Sequence, residues 1–254
     1  WELRKIDSID VMDAVGSNIR IDVRGNAIMR VLPRLNEDVN EEWIGDRTRY
    51  AIDGLKFARL DRPYVRDAGT QKLRACTWDE ALQTVADSMK RIAPDKMCAL
   101  SGDLPAVEEL VAIKDLFQKM GSNHYEARTM GAMVDVSTRG AYLFNTGIAG
   151  IEQADAIVII GANPRIEATM VNARIRKTWL QSSKRLPVAM IGENADLTYP
   201  TTYLGDGVDA IEELAAGRGP FADVLKRAER PMFIVGVGAL QRVDGPSIAK
   251  RIYE

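Results

Sequence analysis

The run Ile157-Val158-Ile159-Ile160 constrains the fold more than any other feature. It lies in ADAIVIIGANP, where four β-branched residues follow one another with no polar residue between them. A strand with one wet face alternates apolar and polar positions. A run without alternation needs both faces buried, as in a parallel sheet covered by helices. Gly161 ends the run, Asn163 suits a helix cap and Pro164 suits a first helical turn. RIEATMVNARIRKTWL continues as that helix, and a second buried strand, PVAMIG (187–192), follows it. After a Gly/Asp-rich loop and two short helical stretches, PMFIVGVG (231–238) supplies a third. This alternation predicts an α/β fold on a doubly wound, mostly parallel sheet.

Upstream the pattern differs. In NIRIDVRGNAIMRVLPR, Ile19, Ile21 and Val23 alternate with polar neighbours, and Arg24-Gly25-Asn26 supplies a turn, which predicts a hairpin. A polar loop follows, and Asp61-Arg62-Pro63 ends the region because a residue before Pro leaves the helical basin. A boundary is expected near residue 65, giving a small β-rich subdomain (1–65) and an α/β domain (66–254). In CTWDEALQTVADSMKRI, Leu82, Val85, Ala86, Met89 and Ile92 share one helical face, and Thr77 and Glu80 have capping-box spacing. MCAL (97–100) reads as a short strand. PAVEELVAIKDLFQKMG reads as a helix between Pro105 and Gly121, with Leu110, Ile113, Phe117 and Met120 on a face whose usual use is core packing.

A formal net charge of −2 gives no electrostatic case for nucleic acid or an anionic membrane, and no run of eighteen apolar residues predicts a membrane span. The chain opens WELRKIDSID, without an initiator Met or an apolar leader, so a fragment or processed piece is expected. Cys76 and Cys98 are the only cysteines, too few for a disulfide framework; buried structural thiols are the expectation. The single histidine, His124, cannot supply a multi-His metal site.

Two candidate sites remain. Strand ends in such sheets hold ligands, and the turn Gly161-Ala162-Asn163-Pro164 opens a helix whose first amides could hold a phosphate. It is neither a dinucleotide fingerprint nor a P-loop, and a structural tight turn explains it equally well. Gly236-Val237-Gly238 is a weaker candidate of the same kind. The second site is a frame. Asp10, Asp13, Ser17 and Gly45 stand at the x2, x3, x27 spacing of a four-thiolate iron–sulfur site, with no cysteine at any of the four. Asp10 and Asp13 could meet a hard cation, but two carboxylates alone make a poor site, and turn or capping roles are the expectation.

DAVGSN, RGNAIMRVLPR, NEDVNEEWIGDRTRYAIDGLK, LDRPY, TWDEAL and ADAIVIIGANPRIEATMVNARIRK occur in this order. Together they resemble the molybdopterin oxidoreductase superfamily, and within it the family of large iron–sulfur subunits of respiratory complex I. The resemblance implies that residues 1–65 match a 4Fe-4S domain of the molybdenum/tungsten type without its cysteines, and that 66–254 form a Rossmann-like domain. It implies that Asp10, Asp13, Ser17 and Gly45 occupy lost ligand positions, and that Met130 stands where active members carry a Cys, selenocysteine or Ser metal ligand. The Gly161–Pro164 turn touches the pterin-guanine cofactor in active members, which usually have a His near Glu167; a carboxylate there would repel cofactor phosphates.

The expectation from that resemblance is a cofactor-free scaffold with no catalytic residue and no metal ligand of its own. The full subunit carries 2Fe-2S and 4Fe-4S clusters that pass electrons from NADH toward quinone. The implied partners are other peripheral-arm subunits, including the flavin-bearing NADH-binding subunit, without nucleic acid or direct membrane insertion. The implied location is the matrix side of the mitochondrial inner membrane or the cytoplasmic face of a bacterial one. Two rival readings stand beside it: a fragment of an active molybdopterin-dependent oxidoreductase, and a nucleotide-binding module at Gly161–Pro164.

Overall fold

In the computed structural model, which describes residues 2–128, 130–183 and 185–254, the chain forms two compact units. One comprises Trp1–Ile52 with Met130–Glu254, and the other Asp53–Thr129. The first unit begins with an antiparallel sheet of β1 (Arg4–Ile9), β2 (Asn18–Arg24) and β3 (Ala27–Pro33), followed by α1 (Asp46–Tyr50). The predicted hairpin is β2–β3, and Gly25 takes the left-handed backbone (φ 58°) its turn needs. β1 pairs with β2 from Arg4 opposite Val23 to Ile9 opposite Asn18. Ile19, Val31 and Ile44 form the subdomain's small core. On the other sheet face Asp22, fully buried, bonds to Arg20 and Arg30, and the Arg30 hydrogen bond above all holds its carboxyl below the usual range.

The second unit holds β4 (Tyr64–Arg66), β5 (Leu73–Ala75), α2 (Trp78–Arg91), β6 (Ala99–Leu100), α3 (Val107–Lys119) and β7 (Tyr125–Glu126). β4 pairs antiparallel with β5, and β6 pairs parallel with β7. Helix α2 starts as its sequence indicates, with Thr77 Oγ accepting the Glu80 amide at 3.3 Å. The Glu80 carboxylate pairs with Arg74 and does not close a capping box. The predicted strand 97–100 shrinks to two residues. Cys98 is exposed and Cys76 half-buried, against the expectation of buried thiols, and His124 is exposed.

The first unit resumes with β8 (Ala156–Ile160), α4 (Pro164–Glu167), α5 (Thr169–Gln181), β9 (Val188–Ile191) and β10 (Thr202–Gly205). It closes with α6 (Val208–Ala215), α7 (Ala222–Arg227), β11 (Pro231–Val235), α8 (Val237–Leu240) and α9 (Gly245–Tyr253). The four strands form one parallel sheet in the order β10-β9-β8-β11. Every residue of β8 is buried, as the apolar run requires. Ile157 and Ile159 pack with Val171 and Ile175 of α5. Val158 and Ile160 pack with Ile211 of α6, Ala239 of α8 and Ile248 of α9. Full burial of each such side chain stabilises by roughly 1.5–3 kcal/mol. The fold is therefore mixed α/β, with a parallel sheet and a small antiparallel β subdomain. The helix predicted over 165–180 is interrupted at Ala168 (φ −149°, ψ 67°), which separates α4 from α5.

The polar loop after β3 is clamped onto α5. Arg174, 4% exposed, donates to Glu152 at 2.9 Å and to the carbonyl oxygens of Glu37 at 2.7 Å and Val39 at 3.4 Å. Lys177 donates to Glu152 at 2.8 Å and to Glu41. These bonds join the β subdomain to the parallel sheet's helix in one unit. The compact units divide at residues 52/53 and 129/130, a partition that differs from a single boundary near 65.

Candidate functional site

At the carboxyl end of β8 two glycine turns meet. Gly161 has φ 61°, and a Cβ on it would stand 2.4 Å from the Ala239 nitrogen. A Cβ on Gly236 would stand 2.4 Å from the Gly161 carbonyl oxygen, and one on Gly238 would stand 2.7 Å from the same atom. Backbone bonds lock the junction. Gly161 N donates to Ile191 O at 2.9 Å, Gly236 N to Ile160 O at 2.8 Å and Gly238 N to Gly161 O at 3.0 Å. The glycines are thus required by backbone packed on backbone. Gly236-Val237-Gly238, a weak candidate in the sequence, is the counterpart against which Gly161 closes.

The phosphate-binding capacity of this turn depends on free amides. Gly161 N is committed to Ile191, Pro164 has none, and Asn163 N donates to Glu167 Oε1 at 3.1 Å. This bond differs from the expected cap: the Asn163 side chain accepts no amide of the helix's first turn. Asn163 is nine-tenths buried, and its Oδ1 has no hydrogen-bond partner. With two of the four amides held internally, one missing and a carboxylate on the turn, these residues do not fit a phosphate-bearing cofactor. Met130 is 58% exposed, and its thioether is a poor ligand for an oxidised molybdenum centre.

Hydrogen bonds tie Asp10 of the Asp10–Gly45 frame to Ser17 and to the helix after Gly45. Asp10 N donates to Ser17 O at 2.8 Å, closing the loop after β1. The helix beginning after Gly45 returns to that loop: Thr48 Oγ donates to Asp10 Oδ2, and Arg47 donates to the Met12 carbonyl at 3.3 Å. The Asp10 Oδ1 accepts the Met12 amide and the Asp13 Oδ1 accepts the Val15 amide, the turn roles expected of both. Burial pushes the Asp13 carboxyl up, against the Val15 bond and Arg47, which hold it down. Gly45 points its missing Cβ at Thr169, an ordinary contact away at 3.5 Å from Oγ. Both Asp10 oxygens are engaged, Gly45 offers no side chain and no thiol lies within residues 3–53, so this set does not fit an iron–sulfur cluster. Among the described residues no group of three or more His, Cys, Asp or Glu could hold a metal ion.

Thr48 and the Arg174–Lys177 clamp are contacts that sequence reasoning misses, and Glu167, singled out there as a carboxylate facing cofactor phosphates, accepts the Asn163 amide. Only the Asn163/Glu167 i, i+4 spacing carries a local signal for any of them.

Comparison with known proteins assigns both parts of the chain. Residues 59–254 match the family model "Molybdopterin oxidoreductase", and residues 3–53 match "NADH-ubiquinone oxidoreductase NDSU1/NuoG-like, 4Fe-4S domain". The NADH-quinone oxidoreductase G subunit of Rickettsia conorii is 48% identical over 254 residues, covering 100% of this chain and 37% of that protein. The mitochondrial NADH dehydrogenase [ubiquinone] iron-sulfur protein 1 of Solanum tuberosum is 46% identical over 248 residues, covering 98% of this chain and 33% of that protein. The mitochondrial NADH-ubiquinone oxidoreductase 78 kDa subunit of Candida albicans is 44% identical over 258 residues, covering 100% and 35%. The chain spans about a third of the length of these relatives. The chain belongs to the molybdopterin oxidoreductase family, and over its whole length it is similar to these NADH-quinone and NADH-ubiquinone oxidoreductase subunits.

Proposed function

We propose that this chain is a cofactor-free scaffold region of a complex I large iron–sulfur subunit, contributing to NADH:quinone electron transfer as part of the assembly. The observation that carries the reading is the Asp10–Gly45 frame. The segment matches a model named for a 4Fe-4S domain, yet its ligand positions are occupied by turn-forming and helix-docking residues. The fold tolerates this because its cores are apolar and its loops are closed by hydrogen bonds made within the chain.

We likewise propose a division into a β-rich domain (1–65) and a Rossmann-like, doubly wound domain (66–254). The matched ranges and the helices on both faces of the parallel sheet support it. Partners would be other peripheral-arm subunits, the flavin-bearing one included, at the matrix or cytoplasmic face of the coupling membrane. Among the described residues no helix is long and apolar enough to cross a membrane. The clusters of the electron path would lie in other parts of the full subunit.

A direct test grafts this chain in place of the matching region of the Rickettsia conorii relative. The expected outcome is an assembled complex with NADH:quinone activity; loss of assembly despite a folded graft would refute the reading. A nucleotide-binding module is the second reading: the turn's amides do not fit the phosphate, so its support is the unpartnered Asn163 Oδ1, an acceptor for a base or ribose donor. A native-state ligand raises thermal stability, so a nucleotide that raises the melting temperature in the wild type and not in Asn163→Ala would establish it.

A further inference from the structure

The face of the β1–β2–β3 sheet opposite its small apolar core is charged. Asp22 stands between Lys5 of β1 and Arg30 of β3, its two cross-strand neighbours. Its side chain is completely buried, while the guanidinium groups bonded to it stay accessible: Arg20 is 30% exposed and Arg30 55%. The carboxylate accepts from Arg20 Nε at 2.9 Å, Arg20 Nη2 at 3.3 Å and Arg30 Nε at 2.8 Å. Arg20 Nη1 and both Nη atoms of Arg30 have no partner among the described residues. One carboxylate thus orients two guanidiniums and neutralises one charge. Arg24 lies two residues further along β2 on the same face. Arg24 and Lys5 are exposed and make no hydrogen bond or ion pair among the described residues. Arg34 meets Asp7 at 3.5 Å. The face therefore sets five cations, Lys5, Arg20, Arg24, Arg30 and Arg34, against two carboxylates, Asp7 and Asp22, on a chain whose net charge is −2.

We propose that this face docks an extended acidic segment of a partner protein, whose carboxylates pair with the free edges of Arg20 and Arg30 and with Lys5 and Arg24. Spacing favours that occupant over other anions. Residues two apart on a strand are about 6.7 Å apart, so Arg20 and Arg24 stand about 13 Å apart, and Lys5 and Arg30 are separated by two strand spacings of about 4.8 Å. A single phosphate cannot bridge these distances. An extended peptide presents alternate side chains at the same interval as β2, so a segment with acidic residues at every second position matches the row of cations. The negative net charge gives no long-range attraction to nucleic acid or an anionic membrane, which leaves a local match. Guanidinium–carboxylate pairs are charge-assisted and directional. Guanidiniums already held in place lose less freedom on binding, and this is the part Asp22 plays. Asp22 acts through Arg20 and Arg30 and is a positioning residue. The inference does not rest on the scaffold reading, since it concerns one sheet face.

Fluorescence anisotropy on the 254-residue chain tests it, with a labelled peptide alternating Glu and Thr as the probe. Saturable binding that weakens with added salt is expected, about tenfold tighter than for the same peptide with Gln in place of Glu. Lys5→Gln and Arg24→Gln, at exposed positions without partners, should each weaken binding about threefold while the circular dichroism spectrum stays unchanged. Asp22→Asn adds positive charge to the face, so a carboxylate that merely neutralises predicts tighter binding, whereas the positioning role predicts weaker binding. The two exposed-site variants also serve if Asp22→Asn folds poorly. Equal binding of the Gln peptide, tighter binding of a DNA duplex, indifference to both exposed-site variants, or tighter binding by folded Asp22→Asn would each overturn the proposal. The titration is repeated on the chain grafted into the Rickettsia conorii relative. Binding retained there supports a partner protein, and binding lost would put the rest of that subunit on the face and overturn the assignment.

Discussion

Substituting the glycines at the carboxyl end of the parallel sheet separates two costs that sequence alone cannot distinguish. Gly161→Ala meets both. Its φ of 61° is a conformation that costs an L-residue about 1–2 kcal/mol, and its new Cβ would lie 2.4 Å from the Ala239 nitrogen. Backbone cannot swing aside as a side chain does, so α8 must move, an overpacking cost of about 1–3 kcal/mol. Gly236→Ala meets the second cost alone: φ is −98°, with the new Cβ 2.4 Å from Gly161 O. Gly219→Ala meets the first alone, with φ 88° and nothing within 4 Å. Urea unfolding followed by circular dichroism should therefore rank the losses as roughly 3–4, 2 and 1 kcal/mol. With a slope of about 2 kcal/mol/M, Gly161→Ala lowers the midpoint by about 1.5–2 M. A loss at Gly161 no larger than that at Gly219 would refute the claim that the two turns close backbone on backbone.

Two further outcomes follow from the unit's electrostatics. Arg174→Met keeps the side chain's bulk but strands two carbonyls and weakens the hold on Glu152, which retains Lys177. A loss of about 2–3 kcal/mol is expected, less than for a fully buried pair because Glu152 is partly exposed, and it should appear as a lower melting temperature. Asp13→Asn should stabilise at pH 7. Burial raises the folded-state pKa of Asp13, so its contribution is full below the unfolded value near 3.9 and is lost as pH rises through the folded value. The gain from Asn therefore fades as pH falls through about 4, and thermal melts from pH 3 to 7 check it.

Much of the α/β core is legible in the sequence because unbroken β-branched runs admit few environments: β8 and β9 are where Ile157–Ile160 and Val188–Ile191 place them. The Gly25 turn is legible from its residues. β1 is not, because an edge strand with five of its six residues exposed carries no inward apolar period. β10 is hidden by its length of four residues. Helix α2 is legible but its environment is not, since a 3.6-residue period reports a helix's apolar face and not what covers it. The Asp10–Gly45 frame is legible as a spacing. Its present chemistry is not, because Thr48 and Arg47 reach it through the tertiary fold. Asn163 looks like a cap in isolation, but its side chain makes no capping bond, while its own amide donates to the i+4 carboxylate of Glu167.

If the iron–sulfur frame survives here as packing without its cofactor, the metal content of the chain tests that most directly. Iron and molybdenum would be measured on chain expressed with cluster assembly intact and purified anaerobically. The predicted result is colourless protein with far less than one iron or molybdenum per chain, in the wild type and in Asp10→Ala alike. Stoichiometric iron lost on replacing Asp10 or Asp13, or molybdenum held with a pterin, would contradict it.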